Sequence, residues 1–504
     1  MVGTDVTGGT VQQPTMWLGR KATLPAVVLV MCVCAVFSVL NRHYTLDDAL
    51  IYYRYVQHAI DGHGLVYNVG EYVNGLTSPL YTYLSVLAAF VVRDVARSQW
   101  ALASTLFCSA AVAVMFIRPA TNGLTPGAVF AGLGIATSRY FYSVAGLETP
   151  LLLLLLAVTL GLFLRGQTGW WMASGALLLL TRGESVFFLT VLTAAHLMMR
   201  RPFPRWQAFL FPVIILTAHY AFNWLYFGSP LPATLMAKIQ QGDSGLWETG
   251  RWGRHLIFLS VGYHFDRYFA SNVVLLAFPV LLAGGGLLTG RRDTLVWMVV
   301  SFLLLYTGFY VALSIPNYHW YYAPYYFFAF VLAGGFVDAV HDAMSRRWRG
   351  RSLSMGLLAA LTLTAGLVAW QGAFCVRDLP KAGGYGSYTD IALWIKGHTP
   401  SDAKVASAEI GHIGWFSERY IIDILGLVSP PNAELIGRRD LSGWLRYYAP
   451  DYIVVHDPSW RHEASADSLR ACGAFTPVPE FDFPGYGLLQ RRGMTTGPGS
   501  EAHP

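Results

Sequence analysis

The chain has 504 residues, of which 54% are hydrophobic and only 13% are charged, and its mean hydropathy is +0.42. The charged fraction is about half that of an ordinary soluble domain, which excludes a soluble globular protein and predicts a polytopic membrane protein. The net charge of +6 is modest, and its Lys and Arg residues cluster in short loops between apolar runs, so nothing supports binding to nucleic acid.

The N-terminal segment, residues 1–21, is polar and ends in Arg20 and Lys21. The apolar run Ala22–Leu40 follows, and at about 19 residues it is longer than the core of a signal peptide and has no small-residue cleavage site. We therefore predict a cytoplasmic tail over residues 1–21 and a membrane anchor that is retained.

Further apolar runs predict additional membrane helices. Full-length runs lie at residues 100–117, 148–164, 206–226, 271–288, 294–314, 320–341 and 353–372, and shorter ones at 125–138, 168–181 and 184–199. The basic loops all fall on one side of the membrane only if the ambiguous run 76–92 does not cross, so that run is predicted to be a juxtamembrane or re-entrant helix. Residues 22–375 thus form a transmembrane domain of about eleven spans, with the N-terminus inside and the C-terminus outside.

After residue 375 the long apolar runs end, and the pattern of residues 376–492 predicts a small soluble α/β domain. Its signals are an amphipathic helix at 388–397, strands at 404–408, 420–425 and 452–456, and a helix near 441–448. Residues 493–504, rich in Gly, Thr and Pro, are predicted to be a disordered tail. Cys375 and Cys472 are able to pair if the domain is extracytoplasmic, and the sequence leaves that question open. The predicted fold class is mainly α: a polytopic helical membrane protein with a small C-terminal α/β domain.

Two adjacent carboxylates, Asp47 and Asp48, follow the first span directly. Acidic side chains beside an apolar membrane face are costly unless they are used, and a desolvated carboxylate is a suitable general base for an alcohol. The alternative is an acidic pair in the first turn of a helix capped by Thr45, where the helix dipole favours negative charge.

Arg182 and Glu184 interrupt an apolar hairpin in the segment LLLLTRGESVFFL. Either the two side chains pair within a turn, or Arg182 points into an outward cavity and binds an anionic ligand. Glu148, in GLETP, is either functional or a solvated residue at a helix N-terminus. The sequence does not decide between these alternatives.

Lys238 ends the segment GSPLPATLMAK, in which two prolines stop the preceding helix. It either reaches to water at the membrane surface or, together with Arg182, supplies the cations that a phosphate leaving group requires. His319, in NYHWYY, is either a core histidine or a site residue among aromatic side chains at the outer end of a span. With the topology above, all of these motifs lie on the extracytoplasmic side.

The sequence offers little indication of a cofactor. No Cys/His cluster has the spacing of a metal site, although a divalent cation bridging Asp47 and a phosphate is chemically allowed. The Gly-rich loop at 62–75 lacks the Lys and the strand-to-helix context of a phosphate-binding loop.

These motifs resemble a known family. The acidic pair, the loop GHGLVYNVGEYVNGLTSPLYTYL, and the later GLET, TRGE and YFGSPLPATLMAK are similar to segments of the GT-C superfamily of integral-membrane glycosyltransferases that use polyprenyl-phosphate sugars. The loop after Asp47 most resembles that of bacterial arabinofuranosyltransferases. The match covers nearly all of the membrane part, with Gly183 standing where relatives often have proline.

The resemblance implies roles for individual residues. Asp47 is expected to be the general base, with Asp48 orienting it or the acceptor. The donor phosphate is expected to bind Arg182, Lys238 and His319, and the residues expected to contact the rest of the substrate are Tyr52, Arg54, Asn74, Glu148 and Glu184. The implied donor is a polyprenyl-phosphate sugar in the lipid bilayer, and the implied acceptor is a glycan or protein hydroxyl outside the cell membrane.

Other functions remain open at this point. Arabinofuranose is the sugar that the similarity favours, and a hexose such as mannose is the alternative. A secondary transporter or lipid flippase usually has ionisable groups near the bilayer midplane, whereas runs such as 100–117 and 125–138 contain none. The sequence therefore favours a multi-pass enzyme of the plasma membrane whose active site lies at the outer face.

Overall fold

The computed structural model describes residues 20–118, 123–144, 146–247, 282–290, 293–316, 318–347, 360–369 and 386–493. These residues form a mainly helical membrane part and a C-terminal domain with a small sheet, which confirms the predicted fold class. Cys375, most of the predicted tails, and the side chains of Arg20, Lys21 and His319 lie outside the described residues.

The membrane part is a series of helices that follows the predicted runs closely. They are α1 Arg20–Leu40, α2 Asp47–Ile60, α3 Pro79–Val92, α4 Val95–Met115, α5 Pro126–Thr137, α6 Arg139–Ser143, α7 Thr149–Leu164, α8 Thr168–Leu179, α9 Val186–Met198, α10 Gln207–Phe227, α11 Ala233–Asp243, α12 Thr294–Ala312 and α13 Ala323–Arg347. A short apolar helix, Ala360–Ala369, lies beyond α13.

In the described part of the chain, five helices are long and apolar enough to cross a membrane. They are Ala22–Leu40, Val95–Met115, Gln207–Phe227, Thr294–Ala312 and Trp320–Met344. The predicted runs 271–288 and 353–372 are described only in part. The number of spans, the non-crossing segment at 76–92 and the orientation therefore stay predictions.

Two apolar helices occupy different positions in the bundle. Helix α7 is apolar on all sides and is buried over most of its length, as expected for a helix in the centre of a bundle. Helix α10 is also apolar but exposes Val213, Ile214, Trp224 and Leu225, so this face is available to lipid.

Helices α5 and α13 cross at glycines. Asp338 of α13 accepts hydrogen bonds from the backbone N–H of Gly127 at 2.7 Å and from Thr125 Oγ1 at 2.8 Å, and so it satisfies groups at the N-terminus of α5. At the crossing, a Cβ on Gly334 would overlap the backbone oxygen of Gly127. The neighbouring Gly335 has open space around the same position.

The C-terminal domain contains five strands and five helices in its described residues. They are α14 Gly386–His398, β1 Lys404–Ser407, α15 Ile410–Ser417, β2 Tyr420–Asp423, α16 Pro430–Gly437, α17 Trp444–Tyr448, β3 Tyr452–His456, α18 Ser465–Ala471, β4 Phe475–Pro477 and β5 Tyr486–Arg491. The strand order is β2-β1-β3-β5-β4, with β1 parallel to β2 and β3, and β5 antiparallel to β3 and β4.

The domain packs directly on the membrane part. One continuous hydrophobic core contains Leu46 and Tyr55 from the region of α2 together with Ile391, Val405 and Ile410 from the C-terminal domain. The short helix α2 is therefore shared between the bundle and the domain. The boundaries predicted at 22–375 and 376–492 stay predictions.

We predict that Gly334→Ala destabilises the protein by about 1–3 kcal/mol, because the new methyl group would force α5 and α13 apart. Gly335→Ala is the matched control, one residue away on the same helix. It should change stability by no more than about 1 kcal/mol, in the stabilising direction, because alanine favours a helix more than glycine does. Thermal unfolding of the two variants in detergent measures the difference, and equal melting temperatures would contradict the close crossing.

Candidate active site

A cavity of about 360 Å³ lies beside the ends of α8, α10 and α12 and is lined by residues of α2 and α11. Seven of the ten predicted site residues line it: Asp48, Tyr52, Asn74, Glu148, Arg182, Glu184 and Lys238. Asp47 and Arg54 are not among the lining residues, and the side chain of His319 is outside the described residues. Most of the predicted residues are therefore gathered in one place, although they come from segments far apart in the sequence.

Asp48 lies in the first turn of α2 and faces the cavity. No described residue donates a hydrogen bond to its half-buried carboxylate. Burial raises the pKa of Asp48 to about 6, the charges of Asp47, Glu148 and Asp423 act in the same direction, and Lys238 opposes them. A carboxylate with such a pKa is ionised at neutral pH and is a stronger base than an ordinary aspartate.

Asp47 faces away from the cavity, toward the C-terminal domain. Its side chain is buried, and its two carboxylate oxygens accept hydrogen bonds from the backbone N–H groups of Gly411 at 2.9 Å and His412 at 2.7 Å. The ring of His412 lies 2.9 Å from the same carboxylate. Thr45, which the sequence suggested as a cap, is not at the N-cap of α2; Leu46 is, and it provides no side-chain hydrogen bond.

Arg54 also contacts the C-terminal domain rather than the cavity. The buried guanidinium donates to the carbonyl groups of Tyr67 at 2.7 Å and Arg419 at 2.7 Å, to that of Gly414, and to Asn68 Oδ1 at 3.1 Å. The guanidinium of Arg54 therefore makes its hydrogen bonds with protein groups on both sides of the contact between α2 and the C-terminal domain. The contact of Arg54 with substrate stays a prediction, and the contacts that the structure shows join α2 to the C-terminal domain.

Arg182 lies in the cavity wall between two carboxylates. It donates to Glu148 Oε1 at 2.5 Å, and through Nε to Glu184 Oε1 at 2.7 Å. Tyr310 donates to the same Glu184 oxygen at 2.6 Å and accepts from Arg182 at 3.2 Å. The pairing of Arg182 with Glu184 was one of the two alternatives left open by the sequence, and Glu148 is buried rather than solvated.

The network continues from Glu148 to α2. Tyr52 donates to Glu148 Oε2 at 3.3 Å and lies 2.6 Å from Thr77 Oγ1. One wall of the cavity is therefore made of hydroxyl and carboxylate groups that hold one another in place. Asn74 completes the rim with its side chain, while its backbone oxygen accepts from the N–H of Ala233 at 2.8 Å.

Lys238 faces the cavity from α11 and rests on aromatic rings. Its Nζ lies 3.8 Å from the centre of the Tyr318 ring and 5.8 Å from that of Trp320. It forms no ion pair with a residue that the structure describes. Because a π face attracts a cation without neutralising it, Lys238 keeps its charge available for an anion in the cavity.

Two features from the C-terminal domain could not be found from the sequence. Leu427 closes the cavity beside Gly75. Glu409, half-buried just before α15, is close enough to the acidic pair that burial, followed by the charges of Asp47 and Asp48, raises its pKa well above the ordinary value. Neither residue lies in a polar motif of the membrane part, so no signal in that part pointed to it.

Within the described ranges, no group of three His, Cys, Asp or Glu side chains is arranged to hold a metal ion. The acids of the cavity are instead paired with Arg182 or lie apart from one another. The arrangement is suited to binding an anion at Lys238, hydroxyl groups at the carboxylate wall, and a nucleophile near Asp48.

Sequence comparisons relate the chain to named enzymes. A terminal β-(1→2)-arabinofuranosyltransferase of Mycobacterium tuberculosis is 27% identical over 286 residues, and one of Corynebacterium glutamicum is 24% identical over 286 residues. Each alignment covers 50% of this chain but only 42% or 40% of the relative, so the chain spans less than half of their length. Residues 381–495 match a family described as a domain of unknown function, DUF8728.

Structure comparisons cover more of the chain. The crystal structure of ArnT from Cupriavidus metallidurans bound to undecaprenyl phosphate has a TM-score of 0.54 at 13% identity, covering 94% of this chain and 99% of that one. The structure of arabinofuranosyltransferase AftD from Mycobacteria has a TM-score of 0.50 at 12% identity, covering 96% of this chain and 40% of that one. At these identities the likeness is one of fold.

We predict that Arg182→Met destabilises the protein by about 3–5 kcal/mol, because it leaves two buried carboxylates without their cation. Lys238→Met should cost no more than about 2 kcal/mol, since only a contact with aromatic rings is lost. Thermal unfolding in detergent compares the two variants, with Arg97→Met, an exposed arginine, as the control. A Lys238 variant as unstable as the Arg182 variant would contradict this division of roles.

Proposed function

We propose that this chain, an arabinofuranosyltransferase-like membrane protein of the GT-C fold, transfers a sugar from a polyprenyl-phosphate donor to a hydroxyl group of a glycan or protein. The names of the sequence relatives support arabinofuranose as the sugar, and we propose its D form. The fold shared with ArnT, whose structure contains undecaprenyl phosphate, supports a lipid-linked donor. A hexose on the same class of lipid is the alternative.

Asp48 is our proposed general base, and the observation that carries the proposal is that its carboxylate has no hydrogen-bond partner among the residues that the structure describes. Three acidic residues line the cavity in the described part of the chain: Asp48, Glu148 and Glu184. Glu148 and Glu184 are bound to Arg182, whereas no described residue donates a hydrogen bond to Asp48. This assignment exchanges the roles that the resemblance suggested for Asp47 and Asp48.

The proposed reaction is a single displacement with inversion. Asp48 takes the proton of the acceptor hydroxyl, whose oxygen attacks the anomeric carbon. The bond between that carbon and the phosphate oxygen breaks, and its electron pair stays on the phosphate. Lys238 balances the charge that develops there, because its ammonium group faces the cavity and forms no ion pair with a described residue.

We assign Arg182 a different role from the predicted one. Its hydrogen bonds to Glu148, Glu184 and Tyr310 use four of the five N–H groups of a guanidinium, so it has little capacity left to bind phosphate. It instead fixes Glu148 and Glu184 at the cavity wall. Their carboxylates are suited to accept hydrogen bonds from sugar hydroxyls, which supports the predicted substrate contacts of these two residues.

The proposal is tested by incubating the purified protein in lipid vesicles with each of several polyprenyl-phosphate sugars and a hydroxyl acceptor, and by following loss of the donor. Consumption of polyprenyl-phosphate arabinofuranose alone is the expected result. Consumption of a hexose donor would select the alternative, and no consumption of any donor would contradict the proposed activity.

We predict that Asp48→Asn lowers kcat by about 10²–10⁴-fold, the usual contribution of a general base. The KM for the donor should change little, because Lys238 is untouched. Asp61→Asn is the matched control, since Asp61 is an exposed aspartate at the other end of α2. An Asp48→Asn variant with wild-type kcat would exclude Asp48 as the base.

The pH dependence of the reaction should follow Asp48. Because the base acts when deprotonated, kcat/KM should fall about tenfold for each pH unit below about 6. Lys238→Met removes the cation that opposes the rise in the pKa of Asp48, so the acid side of the profile should move to higher pH. The other charged or titratable groups acting on this carboxylate are Asp47, Glu148, Glu409, Asp423, Tyr318 and Tyr321. A profile that is flat down to pH 5 would contradict the assignment.

A further inference from the structure

We infer that the C-terminal domain takes part in the reaction through α2, and that Asp47 is the positioning residue that connects this domain to Asp48. The inference rests on the proposed role of Asp48. It gives a function to a domain whose family is described only as one of unknown function. The contacts of Asp47, those of Arg54 and two glycines of α15 carry it.

The carboxylate of Asp47 holds the N-terminus of α15. It accepts hydrogen bonds from the N–H groups of Gly411 and His412, which lie in the first turn of α15. A negative charge at this position also meets the positive end of the helix dipole. Since Asp47 is buried, losing its carboxylate would remove both of these hydrogen bonds from inside the interface.

The guanidinium of Arg54 holds the other end of α15. Arg54 lies about two turns after Asp47 on α2. It donates to the carbonyl of Gly414 within α15 and, at 2.7 Å, to that of Arg419, just beyond the last helical residue, Ser417. Carbonyl groups at the end of a helix are the partial negative charges that a cation stabilises. Asp47 thus binds the N-terminal end of α15 and Arg54 binds its C-terminal end, so only one relative direction of α15 and α2 satisfies both charges.

Two glycines allow the close contact between these segments. A Cβ on Gly411 would overlap the backbone oxygen of Asp47, and one on Gly414 would overlap the hydroxyl group of Tyr67. Tyr67 in turn donates to the carbonyl of Ile410 at 2.6 Å. The domain is therefore fitted to α2 through its backbone, and a small displacement of α15 would break several hydrogen bonds at once.

The same first turn of α2 carries the proposed base. Neighbouring residues on a helix point about 100° apart, so Asp47 reaches α15 while Asp48 faces the cavity. Fixing Asp47 fixes the backbone that sets the direction of Asp48. The domain also places Leu427 in the cavity wall. If the domain separated from α2, Asp48 would become more exposed to water and its side chain would be free to move. Both effects would reduce the burial that raises the pKa of Asp48.

The first test is Asp47→Asn, which keeps the shape of the side chain but turns one acceptor oxygen into an NH₂ group that faces an N–H donor. We expect kcat to fall by about 10²-fold, as for misplacement of a catalytic group. The KM for the donor should change by less than about threefold, because the groups that bind the donor are untouched. The acid side of the pH profile should move to lower pH, since both the charge of Asp47 and the burial of Asp48 are reduced.

Hydrogen exchange provides a readout that does not depend on activity. In Asp47→Asn, the peptide that covers α15 should exchange faster than in the wild-type protein. The matched control is Asp61→Asn, an exposed substitution on α2 that contacts neither the cavity nor α15, and it should leave kcat, the pH profile and exchange unchanged.

A second variant, Gly411→Ala, disturbs the contact without altering any charge. It should lower kcat and speed exchange of the α15 peptide as Asp47→Asn does. Gly397→Ala in α14, where a Cβ would meet nothing, is its control and should behave as the wild type. Agreement between the two test variants supports positioning through α15.

Two results would overturn the inference. One is normal exchange of the α15 peptide in Asp47→Asn, whatever its activity, and the other is faster exchange in Gly411→Ala with unchanged kcat. A wild-type protein that consumed no polyprenyl-phosphate sugar would contradict the proposed function instead. In that case the exchange rates would still decide whether Asp47 holds α15.

Discussion

The structure depends on hydrogen bonds that satisfy two buried charges of α2, several of them from the backbone of the C-terminal domain. Asp47 and Arg54 are both buried, and an unpaired charge in that position would cost several kcal/mol. The first turn of α15 supplies the N–H groups that Asp47 requires. Arg54 donates to the carbonyl groups of Gly414 in α15 and of Arg419 just beyond it, and also to Tyr67 and Asn68 of the membrane part. The C-terminal domain therefore provides hydrogen-bond partners for buried charges of the membrane part. These contacts fix the orientation of α2, which contributes residues to the cavity wall.

The two adjacent aspartates illustrate how a helix separates functions. In the sequence Asp47 and Asp48 are equivalent: both are acidic, both follow the first span, and either is acceptable in the first turn of a helix. The difference between them comes from a hydrogen-bond partner of Asp47 that lies 364 residues away in the chain. No local pattern contains that information, which is why the resemblance led to Asp47 as the base while the geometry favours Asp48.

Sequence patterns predicted the elements that depend on local chemistry. Runs such as 148–164 and 294–314 coincide with α7 and α12 within a few residues, and the strand at 452–456 is β3. Strand β4, with a proline at its end, and β5, which contains Gly487 and two polar residues, lack the alternation that marks a strand. For the site, clustered polar motifs were sufficient to find Lys238 and the carboxylates of the cavity, but the pairing of Arg182 with Glu148 depends on tertiary contacts.

Opposite charges line two sides of the cavity, so the two sides are suited to bind different groups. Arg182 is bound by two carboxylates and a tyrosine, so that side carries a net negative charge and offers oxygen atoms to hydroxyl groups. Lys238 rests on aromatic rings, which hold an ammonium group without cancelling its charge. A phosphate is therefore attracted to the side of Lys238 and repelled from the carboxylate wall. In the proposed reaction, a sugar attached to that phosphate would extend toward the wall and toward Asp48, which lines the same cavity.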